Sequence, residues 1–182
     1  IKRWIAVCCL LFAATLIPVD AQEAFIIDDL HVSMEVHEDG GIDITETYVL
    51  NFTEAKHGFF RNIPTSYDME WSVDGKLEKK SYYFPVSEVT CNRTCSLEGN
   101  ADAVVVKLGD PDKTVYGEQK YEISYHVKTK DLDLSNHAQA LYWNLASGFD
   151  TQIRHLSYDI KMPKAFDENA VFTYSGAFGE TT

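Results

Sequence analysis

Cysteine, proline and positive charge are all scarce in this 182-residue chain. It holds four Cys, five Pro, and 16 Lys and Arg against 28 Asp and Glu, for a formal net charge of −12. A surface this acidic repels phosphate backbones, which excludes nucleic acid as a partner. Long helical patterns, internal repeats and low-complexity tracts are also missing, which argues against bundles and solenoids. There is no G-x-S-x-G, no H-E-x-x-H and no solitary Cys with a His motif, so neither a nucleophile nor a zinc-peptidase site is signalled. His31 and His37 share a strand face but stand too far apart to chelate one ion. His57, His126, His137 and His155 are scattered and read as solvated. The expectation is a chain without enzymatic activity, cofactor or metal.

At the amino end Lys2 and Arg3 precede an apolar run from Trp4 to Ile17, closed by Pro18 and Val19-Asp20-Ala21. This is the layout of a signal peptide over residues 1–21, cut before Gln22. The run is short for a membrane span, which takes about 20 apolar residues. Cys8 and Cys9 sit inside that run and leave with it, as do Lys2, Arg3 and Asp20, so the mature chain carries −13. Cys91 and Cys95 remain, in Cys91-Asn92-Arg93-Thr94-Cys95. An exported chain meets an oxidising compartment, so the two are read as a local disulfide. A metal knuckle would need two more ligands, and none is in sequence reach. Asn51-Phe52-Thr53 and Asn92-Arg93-Thr94 match the glycosylation pattern, with plain turn and strand roles as the alternative.

Residues 22–182 read as one domain built of strands. Leu30 to Val36 alternates apolar with polar, and Glu38-Asp39-Gly40-Gly41 marks a hairpin turn. Ile42, Ile44, Tyr48, Leu50 and Phe52 then share one face. Tyr67 to Val73, Lys120 to Lys128 and Leu156 to Met162 alternate in the same way, with Trp71 and Tyr121 in core phase. Lys76 to Lys80 reads as a polar hairpin-like excursion, Tyr82 to Val89 as an edge strand because of Pro85, and Ala103 to Leu108 as a short, nearly continuous apolar strand. Asp131 to Ala140 is polar with room for a helical turn, and Val171 to Tyr174 could start another strand. Period-two strands at short intervals with turns between them predict an all-β, antiparallel β-sandwich of Greek-key or immunoglobulin-like kind.

Two features break the pattern. Glu46 falls in the apolar phase of its strand, where an unpaired carboxylate would cost several kcal/mol, so a partner is expected. His57-Gly58-Phe59-Phe60-Arg61-Asn62-Ile63-Pro64 interrupts the alternation on either side and reads as a shaped corner, not a strand. Its Arg61, among two Phe, suggests a guanidinium held by rings and a carboxylate. That carboxylate is read as Glu46, with a ligand at the corner as the alternative. Trp143, whose neighbours do not alternate cleanly, is a candidate aromatic contact for a sugar or a partner's loop.

The corner also resembles the stretch of the form hG-x-x-R-x-I-P in the YciQ-like predicted membrane proteins, whose extracytoplasmic part is the domain of unknown function DUF2207. Three further landmarks keep the same order: Asp39-Gly40-Gly41 with Glu46; Tyr116-Gly117 with Tyr121 to Tyr125; and Tyr142-Trp143-Asn144 with Gly148 and Met162-Pro163. The resemblance runs from about Ile26 to Pro163. It implies an exported β domain attached to the membrane through helices beyond Thr182, and this chain is read as a fragment cut before them. Another envelope protein or a glycan is the expected partner, and the role is interaction or support at the cell envelope. A free secreted carbohydrate- or peptide-binding module is the alternative. The family has no established activity, so it supplies no catalytic residues. Mass spectrometry of protein recovered from the cell envelope should find Cys91 and Cys95 oxidised; two free thiols would remove the export reading of this pair.

Overall fold

A computed structural model describes residues 24–73, 76–99, 102–129, 143–149 and 151–167 and positions 169, 171 and 173, with side chains at these positions except 69–73 and 80. The segment read as a signal peptide, the side chain of Trp71, the turn read at Asp74-Gly75, the stretch from Asp131 to Ala140 with His137, and parts of Val171 to Tyr174 lie outside them. Among the described residues the chain forms ten strands: β1 (Phe25–Val36), β2 (Gly41–Lys56), β3 (Gly58–Pro64), β4 (Ser66–Val73), β5 (Lys76–Tyr83), β6 (Val86–Cys91), β7 (Cys95–Gly99), β8 (Ala103–Gly109), β9 (Val115–Lys128) and β10 (Leu156–Lys161). No helix among them is long and apolar enough to cross a membrane.

The strands form a five-stranded sheet in the order β10-β1-β2-β9-β6, a three-stranded sheet β3-β8-β7, and a β4-β5 hairpin. Alternation in β1 and β2 brings Leu30, Val32 and Met34 to the same side as Ile42, Ile44, Tyr48 and Leu50, and all are fully buried. Between the two strands, Gly40 takes a positive φ of 83°, and His37 N–H donates to Gly41 O at 2.8 Å. β9 lies antiparallel to β2 and adds Tyr121, Ile123, Tyr125 and Val127. The three-stranded sheet closes over this face: Phe59 and Ile63 of β3 and Val106 and Leu108 of β8 belong to the same core. Phe59 meets Tyr121 and Tyr48 edge-on, with ring centroids 5.0 and 5.2 Å apart. The result is an all-β, sandwich-like arrangement of predominantly antiparallel sheets.

Three readings of the sequence change. His57 to Pro64 is not a corner: from Gly58 it is strand β3, paired antiparallel with β8 over its whole length. The period of two is present but inverted, because Phe59, Arg61 and Ile63 point inward while Phe60 and Asn62 point out. Pro64 closes the strand at its last pair. Lys76 to Lys80, read as a polar hairpin-like excursion, does lie in a hairpin, as the first part of β5 paired with β4, and Lys76 to Lys79 are exposed. The stretch from Tyr82 to Val89 is not one strand, for the chain leaves β5 at Phe84-Pro85 and enters β6, which does lie at a sheet edge. Finally, β10 runs parallel to β1, and its Leu156, Tyr158 and Ile160 remain 37 to 39% exposed at the opposite edge instead of forming a buried face.

The Cys91–Cys95 disulfide joins the end of β6 to the start of β7, and so links the five-stranded sheet to the three-stranded one. Both cysteines are half-buried against the core. At the far end of β3, Gly58 faces Gly109 with φ of 138° and 142°. A Cβ on Gly58 would stand 1.8 Å from Leu108 O, and one on Gly109 the same 1.8 Å from His57 O. Backbone is on both sides, so neither clash can be relieved by rotating a side chain. Gly58→Ala should therefore cost at least about 3 kcal/mol from clash and strain together. A denaturant midpoint unchanged from the parent would contradict this geometry.

Candidate functional site

Glu46 sits at the centre of β2 on its inward face and Arg61 at the centre of β3 on the facing sheet. Each is only 2% exposed. Arg61 grips the carboxylate with two parallel bonds, Nε to Oε2 and Nη2 to Oε1, both 2.8 Å. This fork-to-fork geometry is the strongest arrangement the two groups can make. Strand periodicity adds two phenols. Tyr48, two residues along β2, donates to Oε2, and Tyr125, diagonal to Glu46 on β9, donates to Oε1 at 2.8 Å. Each carboxylate oxygen thus accepts two hydrogen bonds.

The remaining guanidinium nitrogen turns to backbone: Nη1 donates to Asn62 O and Ser147 O, both at 2.6 Å. The second bond draws the segment from Trp143 to Phe149 onto the sandwich. Phe149 lies under the guanidinium, 4.7 Å from ring centroid to Cζ. Gly148 makes the approach feasible: its φ is 79°, and a Cβ there would meet Asn62 O at 3.1 Å. Among the described residues no buried side-chain polar atom lacks a partner.

The electrostatics follow from burial and pairing. Burial by itself would raise the Glu46 pKa, but the Arg61 charge and the bonds from Arg61, Tyr48 and Tyr125 outweigh it and hold the carboxyl below its usual range. Arg61 is held above its already high value: burial would lower it, but the Glu46 charge, the hydrogen bonds to Glu46 and the two neighbouring phenols together outweigh burial. Tyr48 and Tyr125 are pushed well up, first by burial and then by the neighbouring carboxylate. The core therefore contains a permanent ion pair with two neutral phenols.

The other residues singled out in the sequence are spread apart. His57 lies just before β3, exposed, with Nδ1 donating to Lys113 O at 3.0 Å. Phe60 is 66% exposed and lies under Lys107 on the outer face. Trp143 is half-buried, tilted against Tyr67 with centroids 6.4 Å apart. His31 and His37, and the scattered His126 and His155, each approach an aspartate: Asp159, Asp43, Asp43 again and Asp29. Among the described residues no group of three or more His, Cys, Asp or Glu is placed to hold a metal. Sequence reasoning missed Tyr48 and Tyr125 as partners of Glu46, although Tyr48 stands two residues away on the same strand face. Nothing in the sequence marked Ser147 and Phe149.

Two packed sheets with an ion pair bonded across their shared core define this as an all-β sandwich domain. Residues 26–182 match the family described as "Predicted membrane protein (DUF2207) N-terminal domain", and the chain belongs to that family. No curated protein matches it significantly. Among solved structures it is similar to native yeast LTA4 hydrolase, at 15% identity and a TM-score of 0.37, over 59% of this chain and 15% of that one. It is also similar to an M1 zinc metallopeptidase from Deinococcus radiodurans bound to a Tyr-Ser-Ala substrate, at 13% identity and a TM-score of 0.37, over 78% of this chain and 33% of that one. The chain thus spans a third or less of the length of these two structures.

Removing either partner of a buried pair strands the other charge, so Arg61→Ala and Glu46→Ala should each cost about 3 to 5 kcal/mol. The double variant should cost clearly less than the sum, and midpoints that simply add would show that the two are not coupled. The pH dependence follows from the same shifts. Glu46 is lowered in the fold, so its contribution is full above the ordinary glutamate range and lost as pH falls through its folded value. The two tyrosines are raised, so theirs is full below about pH 10 and lost as pH rises past it. Chemical denaturation across pH should show both limbs, the alkaline one shrinking in Tyr125→Phe; an alkaline limb of unchanged size in that variant would remove Tyr125 from the account.

Proposed function

We propose that this domain is the extracytoplasmic part of a membrane protein, serving interaction or support at the cell envelope and performing no catalysis of its own. The observation that carries the reading is the Cys91–Cys95 disulfide, in a family described as membrane proteins. A bond that ties two sheets together suits an oxidising compartment and would not persist in a reducing cytosol. The Glu46–Arg61 centre supports the absence of catalysis, because its carboxylate, guanidinium and phenols are already bonded to one another and to the backbone. In this role the ion pair is structural, and contacts are left to the surface. The membrane is reached through segments outside this chain, and the partner is another envelope protein or a glycan. A free sugar-binding module has less support, since Trp143 is half-buried against Tyr67 instead of forming an open platform.

Fusing reporters after Thr182, with residues 1–21 retained, tests the sidedness. A reporter active only outside the cytoplasm should function and a cytoplasm-dependent fluorescent reporter should stay dark. The reverse pattern would overturn the proposal.

A further inference from the structure

Beside the Gly58–Gly109 pair, a cleft of about 200 Å³ opens between the Cys91–Cys95 loop and the turn from Asp110 to Lys113. Its walls carry His57, Arg93 and Lys113 against a single acid, Asp110. That is a local excess of positive charge on a chain whose net charge is −12.

The cleft is built, not incidental. The Arg93 guanidinium lies over the Tyr121 ring, 4.8 Å from its centroid, and Nη1 donates to Gln119 Oε1 at 3.0 Å. The loop carrying Arg93 is closed by the disulfide and anchored at two points: Glu122 N–H donates to Asn92 Oδ1 at 2.9 Å, and Gly109 N–H donates to Thr94 O at 2.9 Å. On the opposite wall His57 Nδ1 donates to Lys113 O, which holds the imidazole against the turn. Lys113 pairs with Asp110 at 3.0 Å, so with Arg93 on the facing wall the cleft as a whole holds one more positive charge than negative.

We propose that this cleft binds a carboxylate presented by a partner polypeptide, from an acidic side chain or a chain terminus. Three features choose this ligand. A guanidinium held in place over a ring offers a planar fork that matches a carboxylate. A balance of one positive charge suits a monoanion, while Asp110 opposes a phosphate dianion. The volume is below the roughly 300 to 1,000 Å³ of small-molecule pockets, and fits the end of one residue, with Val115 and Tyr121 against its aliphatic stem. The proposal names a partner chemistry for the interaction role above and rests on that role only for its use in the cell. Binding is measured on the oxidised chain whichever way the reporter fusions read.

The probes are N-acetyl-glutamate N-methylamide for a side-chain carboxylate, N-acetyl-alanine for a terminal one, the glutamine analogue of the first as neutral control, and inorganic phosphate. Amide signals of Thr94, Gly109 and Asp110 should shift and saturate with a carboxylate at millimolar concentration, and the tighter of the two acids identifies the source. Arg93→Gln should weaken binding about tenfold, as loss of a charge-assisted bond does. Lys113→Gln, on an exposed turn that can change without unfolding the chain, should weaken it several-fold. Saturation by the glutamine analogue, tighter binding of phosphate than of either acid, no saturation by any carboxylate, or undiminished affinity in both Arg93→Gln and Lys113→Gln would each overturn the proposal.

Discussion

The two sheets of this domain meet around one charge pair, and their relative placement depends on it. Burying Glu46 and Arg61 costs desolvation that their attraction roughly offsets, so the pair adds little net stability over a well-packed apolar core. Its effect is on uniqueness. If β3 slipped one residue against β8, Arg61 would turn to solvent and Phe60 inward, leaving Glu46 buried without a counter-charge. Apolar contacts alone would tolerate such a slip far better, since Phe60 could take the place of a core side chain. The same guanidinium also fixes the segment from Trp143 to Phe149 through Ser147 O, so one residue orders both the sheet-to-sheet register and the loop covering it.

Much of the sheet was legible because burial on one face writes an alternation into the sequence. β1, β2 and β9 announce themselves in this way. β3 does not, because an arginine occupies an inward position and a phenylalanine an outward one, inverting the usual cue. β5 and β7 are mostly exposed on both faces and have no apolar phase to read. The site was half legible. A carboxylate in an apolar phase demands a counter-charge, and Arg61 was the nearest cation in a patterned context. Tyr125 becomes a partner only once β9 is known to lie beside β2, and Ser147 and Phe149 arrive through a connection of no fixed period. The aspartates beside the histidines were illegible for a similar reason: they lie across strand pairings or a hairpin, most of them far away along the chain.

The disulfide links stability to surface chemistry. By tying β6 to β7 it closes the sandwich at one edge, and by closing a short loop it holds Arg93 over Tyr121. Reduction would relax both, and the basic cleft would lose its fixed wall before the core lost its packing. A chain of strongly acidic composition can in this way keep a small region of opposite sign, provided covalent and backbone constraints stop the cations from dispersing into solvent.

The parallel pairing of β10 with β1 has a consequence for how the chain reaches its native state. Residues 126 positions apart, such as Glu35 and Lys161, must find each other to complete that edge. A chain made from its amino end will already have paired β1 with β2 while the strand destined for its other side has yet to emerge. Contacts of such long separation are slow to close, because the loop entropy is lost before any pairing rewards it. For that interval the outer edge of β1 is an open template for the wrong strand, including one from a neighbouring molecule. Truncation before Leu156 would make this transient hazard permanent, and aggregation is the form in which it would be seen.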